Sequence, residues 1–173
     1  MKTELTRCGA VIARRAHNPE VAGLNPAGAT KRGYAAIGLY MPKAEANVGG
    51  AMRAAYCYGA SMVAIEGRRF KSFHTDTMKA WRHIPVVEVA SLIDSIPFSC
   101  VPVCVEIASN ARPLHRFVHP ERAFYIFGPE DGSIPKEMTD KYLTVAAPTD
   151  FCMNLAATVN VVLYDRRAKT LSR

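Results

Sequence analysis

The amino-acid sequence predicts an α/β fold in which a mostly parallel sheet is flanked by helices on both faces. From residue 34 onward, short apolar segments alternate with more polar segments that suit helices. The apolar segments are continuous rather than alternating, which is typical of parallel strands buried on both sides. The length of 173 residues and the hydrophobic content of 49% suit one domain with a substantial core and exclude a largely disordered chain.

The first half of this pattern begins with a predicted strand at 34–40, whose residues are almost all apolar. A helix is predicted from Asn47 to Gly59, because asparagine favours the N-cap and glycine favours the C-terminal end of a helix. Two further strands and a short helix between them complete this half, with the strands at 62–65 and 86–89 and the helix near 77–81.

The second half continues the alternation up to the longest helix of the pattern. Residues 91–96 suit a short helix that Pro97 ends, and the strand after it has Pro102 near its start, where a missing N–H is tolerated. The remaining predicted strands lie at 101–107, 123–127 and 143–146, and the final helix runs from 153 to about 168.

The formal net charge of +7 is concentrated before the predicted domain. Residues 1–33 carry +4, and the rest of the chain carries +3. The same stretch contains the turn-forming pairs Asn18-Pro19 and Asn25-Pro26, so we expect a basic, largely irregular arm at 1–33 and the domain at 34–173. An arm that contacts nucleic acid and a solvated leader without a partner both fit this composition.

The sequence argues against several other classes of protein. Five cysteines without CxxC spacing disfavour a disulfide framework and a zinc site. No apolar run approaches the ~18–20 residues of a membrane span, and the first residues lack the apolar core of a signal peptide. We therefore expect a soluble, cytoplasmic protein with no metal and no membrane partner, in which His115 and His119 lie at the surface.

Three loops that follow predicted strands have unusual compositions, and open α/β sheets bind ligands at such strand ends. The first leads into a helix with Gly49 and Gly50 in its first turn, which indicates close backbone approach, and with Arg53 among small residues. The second starts at Gly128 and lacks the signatures of a P-loop or a dinucleotide fold. The third, at 148–155, opens the long helix. An ordinary turn at Gly128 and a solvent-facing Arg53 are the open alternatives.

These segments resemble, in order, the three motifs of the SPOUT superfamily of knotted RNA methyltransferases, in the SpoU branch that methylates ribose 2′-hydroxyls. The resemblance covers about residues 34–168. The motifs correspond to Asn47-Val-Gly49-Gly-Ala-Met-Arg53, to Phe127-Gly128-Pro129-Glu130, and to Pro148 with Cys152-Met153-Asn154-Leu155. Cys152 stands where the family usually has serine, and Ser133 stands where it usually has glycine.

The resemblance implies an S-adenosylmethionine-dependent methyltransferase that acts on RNA, with tRNA favoured over rRNA, and that has a trefoil knot at roughly 100–168. It also implies a homodimer whose site is completed by the partner chain. Arg53 would favour alkoxide character at the ribose 2′-oxygen, and Asn47 would order its loop. Tyr164 would line the substrate side, with packing in the core or at the subunit interface as the open alternative. The implied cofactor-binding residues are Glu106, Ile107, Gly128, Glu130, Ala147, Cys152, Asn154 and Leu155. A non-catalytic knotted homodimer that only binds RNA and a nucleotide-binding α/β regulator are the alternatives.

Overall fold

The computed structural model describes residues 33–71, 75 and 79–171. The chain divides into two units, Met1–Lys31 and Arg32–Arg173, and every described residue belongs to the second unit. The predicted basic arm, apart from Gly33, lies outside the described residues, as does the first part of the short helix predicted at 77–81.

Seven strands and three α-helices make up the described part of the chain. The strands are β1 (Tyr34–Tyr40), β2 (Val63–Glu66), β3 (Val86–Val89), β4 (Val101–Val105), β5 (Arg112–Pro113), β6 (Arg122–Phe127) and β7 (Leu143–Ala146). The helices are α1 (Glu45–Tyr58), α2 (Lys136–Lys141) and α3 (Leu155–Leu171), with 3₁₀ turns at Ala80–Arg82 and Leu114–Arg116. Within these ranges, no helix is long and apolar enough to cross a bilayer.

The strands form one parallel sheet in the order β3-β2-β1-β6-β4-β7-β5, which confirms the predicted α/β fold. β6 lies at the centre, and its residues 123–127 are at most 1% exposed. A strand covered on both faces and paired on both edges has no solvated side, which explains its continuous apolar sequence.

The two faces of the sheet are covered by different elements. The face that contains Tyr125 packs against α1 and α3. Gly50 lets these two helices approach closely, because a Cβ there would lie 2.7 Å from the Cβ of Ala156. The close backbone approach predicted at this glycine is therefore to another helix. The opposite face, which contains Phe124, is covered by the turn around Leu92 and by α2 with its flanking residues.

The predicted start of the first helix was wrong. α1 begins at Glu45, so Asn47 lies in its first turn and does not cap it. The predicted end was right, because Gly59 adopts the left-handed conformation with a φ of 76°. An asparagine suits an N-cap by local preference, but here its side chain bonds to other loops, as described below.

Other differences lie between β3 and α3. Residues 91–96 form hydrogen-bonded turns instead of a helix, and β4 ends at Val105, two residues before the predicted 107. α3 begins two residues later than predicted and extends to Leu171. The sequence pattern also missed α2 and β5, which have only six and two residues and so carry little periodic signal.

Candidate active site

A pocket lies at the carboxyl ends of β4, β6 and β7. These strands are neighbours, and Val105 pairs with Phe127 on one side and with Val145 on the other. The loops that follow the strands therefore meet at one edge of the sheet, as expected for a ligand site in an open α/β fold. The volume of about 140 Å³ far exceeds the roughly 10–15 Å³ that one water molecule needs.

Seven of the eight residues predicted to bind the cofactor line this pocket; they are Glu106, Ile107, Gly128, Glu130, Ala147, Cys152 and Leu155. Asn154 is not among the lining residues and lies next to them in the third loop. The pocket is also lined by residues outside the predicted set, namely Val105, Phe127, Pro129, Gly132, Ala146, Thr149, Met153 and Thr158. Thr158 could have been found from helical spacing, since it lies one turn after Leu155 on α3.

Glu130 joins the second motif to the first. Its carboxylate accepts hydrogen bonds from Asn47 Nδ2 at 2.7 Å and from the backbone nitrogens of Lys43 and Ala44 at 2.8 and 3.1 Å. Burial favours the neutral acid, but the bonds from Asn47 and the two backbone amides outweigh it and hold the pKa of Glu130 below its ordinary value. The side chain is therefore a carboxylate at neutral pH and adds negative charge to the pocket wall.

Asn47 and Asn154 join the first motif to the third. Asn47 Oδ1 accepts a hydrogen bond of 2.6 Å from Asn154 Nδ2. Asn154 Oδ1 in turn accepts bonds from the backbone nitrogens of Ala156 and Ala157 at 2.9 and 3.3 Å, so Asn154 caps α3. One continuous chain of hydrogen bonds thus runs from Glu130 through Asn47 to the start of α3.

Glu106 holds another wall of the pocket. Its Oε2 accepts a bond of 2.9 Å from the backbone nitrogen of Ile134, and its Oε1 accepts one of 3.0 Å from Ile107. A Cβ at Gly128 would lie 3.2 Å from Ile134 Cγ1 and 3.3 Å from Glu106 Oε2, so a side chain there would require these neighbours to move by a few tenths of an ångström. Glycine at the end of β6 is explained by this packing.

The two departures from the family pattern lie at the pocket. Cys152 is exposed and lines it, in the place where serine is usual. Ser133 is exposed, and the preceding Gly132 lines the pocket instead. The loop therefore still presents a glycine to the pocket, one position earlier in the chain.

Two residues with predicted catalytic roles, Arg53 and Tyr164, do not line the pocket of their own chain. Arg53 is half-buried on α1. Tyr164 is 62% exposed on α3, with its ring edge-on to Tyr58 at 6.4 Å between centroids, so it is not a core residue. The third, Asn47, reaches the pocket through its bond to Glu130.

Asp131 anchors the rim of the pocket to two other loops. Arg69 donates to both of its carboxylate oxygens, and Lys43 Nζ lies 3.2 Å from Oδ2. The hydrogen bonds from Arg69, and then those from Lys43, lower the pKa of Asp131 to about 2. The sequence carried no signal for this cluster, because its members are far apart in the chain.

The expectation that His119 lies at the surface was wrong. Its side chain is 5% exposed and contacts the Tyr125 hydroxyl at 2.6 Å and Asp165 at 2.8 Å. Arg166, which can only donate, bonds to the same hydroxyl at 3.1 Å. The Asp165 carboxylate can only accept, so Nε2–H of the neutral His119 ring donates to it, and Nδ1 accepts the hydrogen bond from the Tyr125 hydroxyl. His115 is exposed, as expected.

The family model described as the SpoU rRNA Methylase family matches residues 35–164. A structure described as giving insights into the 2-OH methylation of C/U34 on tRNA is similar, with a TM-score of 0.71 and 19% identity over 82% of this chain and 99% of that one. The SpoU methyltransferase AviRb from Streptomyces viridochromogenes, in complex with AdoMet, has a TM-score of 0.68 and 16% identity over 81% of this chain.

An rRNA methyltransferase from Sinorhizobium meliloti has 19% identity and a TM-score of 0.68 over 79% of this chain. The chain spans 62% of the AviRb structure and 56% of the Sinorhizobium meliloti structure. At these identities the likeness establishes the fold. No curated protein matches the chain in sequence at a significant level.

Proposed function

The chain belongs to the SpoU rRNA methylase family, and we propose that it transfers a methyl group from S-adenosylmethionine to a ribose 2′-hydroxyl of RNA. The observation that carries this proposal is that hydrogen bonds join all three sequence motifs beside one pocket, which the second and third motifs line. Glu130 of the second motif bonds to Asn47 of the first, which bonds to Asn154 of the third. AdoMet-bound structures of the same fold support the choice of methyl donor.

The pocket fits S-adenosylmethionine in its chemistry. Apolar side chains such as Phe127 and Leu155 suit an adenine ring, and the backbone exposed at Gly128 suits its polar edge. The carboxylates of Glu106 and Glu130 line the pocket and would attract a sulfonium cation. When bound, the cofactor supplies an electrophilic methyl group.

The chain's own task is to favour the alkoxide form of the ribose hydroxyl. No lysine or arginine lines the pocket in the described part of the chain, so the required positive charge comes from another place. We assign this role to Arg53 of the partner subunit in a homodimer. The exposed apolar residues Val161 and Tyr164 on α3 support such an interface, since they are 38% and 62% exposed.

The finer features of the family are part of the same proposal. tRNA is favoured over rRNA because the chain matches nearly the whole length of the structure described for tRNA C/U34, and little more than half of the Sinorhizobium meliloti rRNA methyltransferase. The trefoil knot at roughly 100–168 is supported by β4, which lies between β6 and β7 although both follow it in the chain. A cytoplasmic location agrees with the free Cys57, Cys100, Cys104 and Cys152.

Incubation with S-adenosylmethionine labelled at the methyl group and total RNA tests the activity. A methyl group on the 2′-oxygen blocks alkaline cleavage at that nucleotide, because this oxygen is the nucleophile of the cleavage. We expect the label in alkali-resistant dinucleotides from the tRNA fraction. Label in mononucleotides would show base methylation and refute the ribose assignment. Calorimetry that detects no binding at millimolar S-adenosylmethionine would instead favour an RNA-binding protein without turnover.

A further inference from the structure

Two cations from different loops hold a single carboxylate at the rim of the pocket. Arg69 Nη1 and Nη2 lie 3.1 and 2.6 Å from the two oxygens of Asp131, and Lys43 Nζ lies 3.2 Å from one of them. Asp131 directly follows Glu130, which lines the pocket. We propose that Lys43 and Arg69 form a binding site for a phosphodiester group of the RNA substrate, and that Asp131 fills this site until RNA displaces it. This inference rests on the proposed function.

The guanidinium of Arg69 is held in place without help from Asp131. Its Nε donates to the carbonyl of Met41 at 2.9 Å, and the backbone nitrogen of Arg69 donates to the carbonyl of Pro42 at 3.1 Å. The two terminal nitrogens, Nη1 and Nη2, form a fork that donates to the two carboxylate oxygens of Asp131. Because an arginine fork binds carboxylate and phosphate oxygens in the same bidentate way, the site remains suitable when Asp131 leaves.

The segment that carries the fork is itself closely packed. The backbone nitrogen of Met41 donates to the carbonyl of Glu66 at 2.8 Å. Gly67 adopts a φ of 62° and packs against the Met41 side chain so closely that a Cβ would not fit. The fork is therefore preorganised, which reduces the cost of binding a new anion.

Asp131 can be displaced, because it is an exposed partner. Its side chain is 41% exposed, and exposed ion pairs change an equilibrium constant by no more than roughly fivefold. A phosphodiester carries one negative charge, as the carboxylate does, so the two cations exchange one monoanionic partner for another. Glu130 stays in place meanwhile, since Asn47 and two backbone amides hold it.

Substitutions on the two sides of the cluster distinguish this role from a purely structural one. A phosphodiester site predicts opposite effects: Arg69→Gln and Lys43→Gln weaken binding of unfractionated tRNA, and Asp131→Asn strengthens it. A structural tie between loops predicts that all three variants weaken binding. We expect a loss of about tenfold for Arg69→Gln and a gain of about two- to fivefold for Asp131→Asn, because the competing anion is then removed.

The measurement is a fluorescence titration with unfractionated tRNA at several salt concentrations. Arg69→Gln should also lower the slope of log K against log salt by about 0.7–0.9, the value for one lost phosphate contact. Arg116→Gln, at an exposed arginine in the 3₁₀ turn at 114–116, is the matched control and should leave the affinity nearly unchanged. Inorganic phosphate at matched ionic strength should not compete with tRNA for the protein. Competition by inorganic phosphate would indicate a site for free phosphate instead.

Weaker tRNA binding by Asp131→Asn, or unchanged binding in all three variants, would overturn the inference. Calorimetry with S-adenosylmethionine and thermal unfolding of each variant show whether the pocket and fold are intact. If the proposed methyltransferase function is wrong, the unmodified protein transfers no label to RNA, which distinguishes that outcome from the loss of the phosphodiester site.

Discussion

Replacement of Asn47 by alanine is the most direct test of how the pocket is held together. The change removes two hydrogen bonds, one of 2.7 Å to the Glu130 carboxylate and one of 2.6 Å from Asn154. A bond to a charged group contributes about 1.5–3 kcal/mol and a neutral one about 0.5–1.5 kcal/mol. Water can reach Glu130 and Asn154, which are exposed, so we expect the lower end of the sum.

Alanine also favours the helix over asparagine by up to about 0.7 kcal/mol. The expected net loss is therefore about 1–2 kcal/mol in the free energy of unfolding, measured by urea denaturation at pH 7. Asn160→Ala is the matched control, since Asn160 lies in α3, is exposed and donates only to the Ala156 carbonyl of its own helix. It should change the free energy of unfolding by less than about 0.5 kcal/mol.

The loss at Asn47 should depend on pH in one direction. The lowered pKa of Glu130 stabilises the fold above the ordinary value of 4.5, and this contribution disappears as pH falls through the folded-state pKa. The gap between the Asn47→Ala variant and the unmodified protein should therefore narrow below pH 4.5. Equal stabilities of the Asn47→Ala and Asn160→Ala variants at pH 7 would refute the proposed link between the motifs.

Further predictions concern the reaction, the arm and the buried histidine. Arg53→Ala should lower methyl transfer by at least about 100-fold in the labelling assay and leave S-adenosylmethionine affinity nearly intact, and near-normal turnover would exclude Arg53 from catalysis. Cys152→Ser should leave calorimetric affinity within about threefold if backbone groups carry the contact, whereas a large gain would show that the hydroxyl matters. Deletion of residues 1–33 should weaken RNA binding and flatten its salt dependence, and an unchanged slope would make the arm a solvated leader. Burial lowers the pKa of His119 below 6.5, although the hydrogen bond to Asp165 opposes it. The free energy of unfolding should therefore decrease as pH falls from about 6.5 toward the folded-state pKa. His119→Gln should remove this pH dependence, and His115→Gln should retain it.

The sequence alone predicted most of the sheet, because a strand buried on both faces must be continuously apolar. Three strands, β1, β3 and β7, have the predicted first and last residues. The strand ends then indicated where a ligand would bind, since the carboxyl ends of neighbouring parallel strands always meet. The resemblance to the family then implied that residues such as Gly128 and Cys152 share one cofactor site, and both line the pocket.

Short elements and isolated polar residues were harder to predict. α2 has six residues and β5 has two, so neither shows a recognisable period. His119 belongs to an irregular segment between prolines, where solvent exposure is the ordinary expectation. Its burial depends on Asp165, which lies 46 residues further along the chain.

The longer strands and helices and the edge of the sheet that would bind a ligand were thus predictable from the sequence, since they follow from local apolar patterns and strand direction. Only the tertiary structure decided which polar groups meet. Asn47 is 83 residues from Glu130 and 107 from Asn154, and Arg69 is 62 from Asp131. Such pairs are brought together by the folded sheet, whose geometry no local preference of the chain encodes.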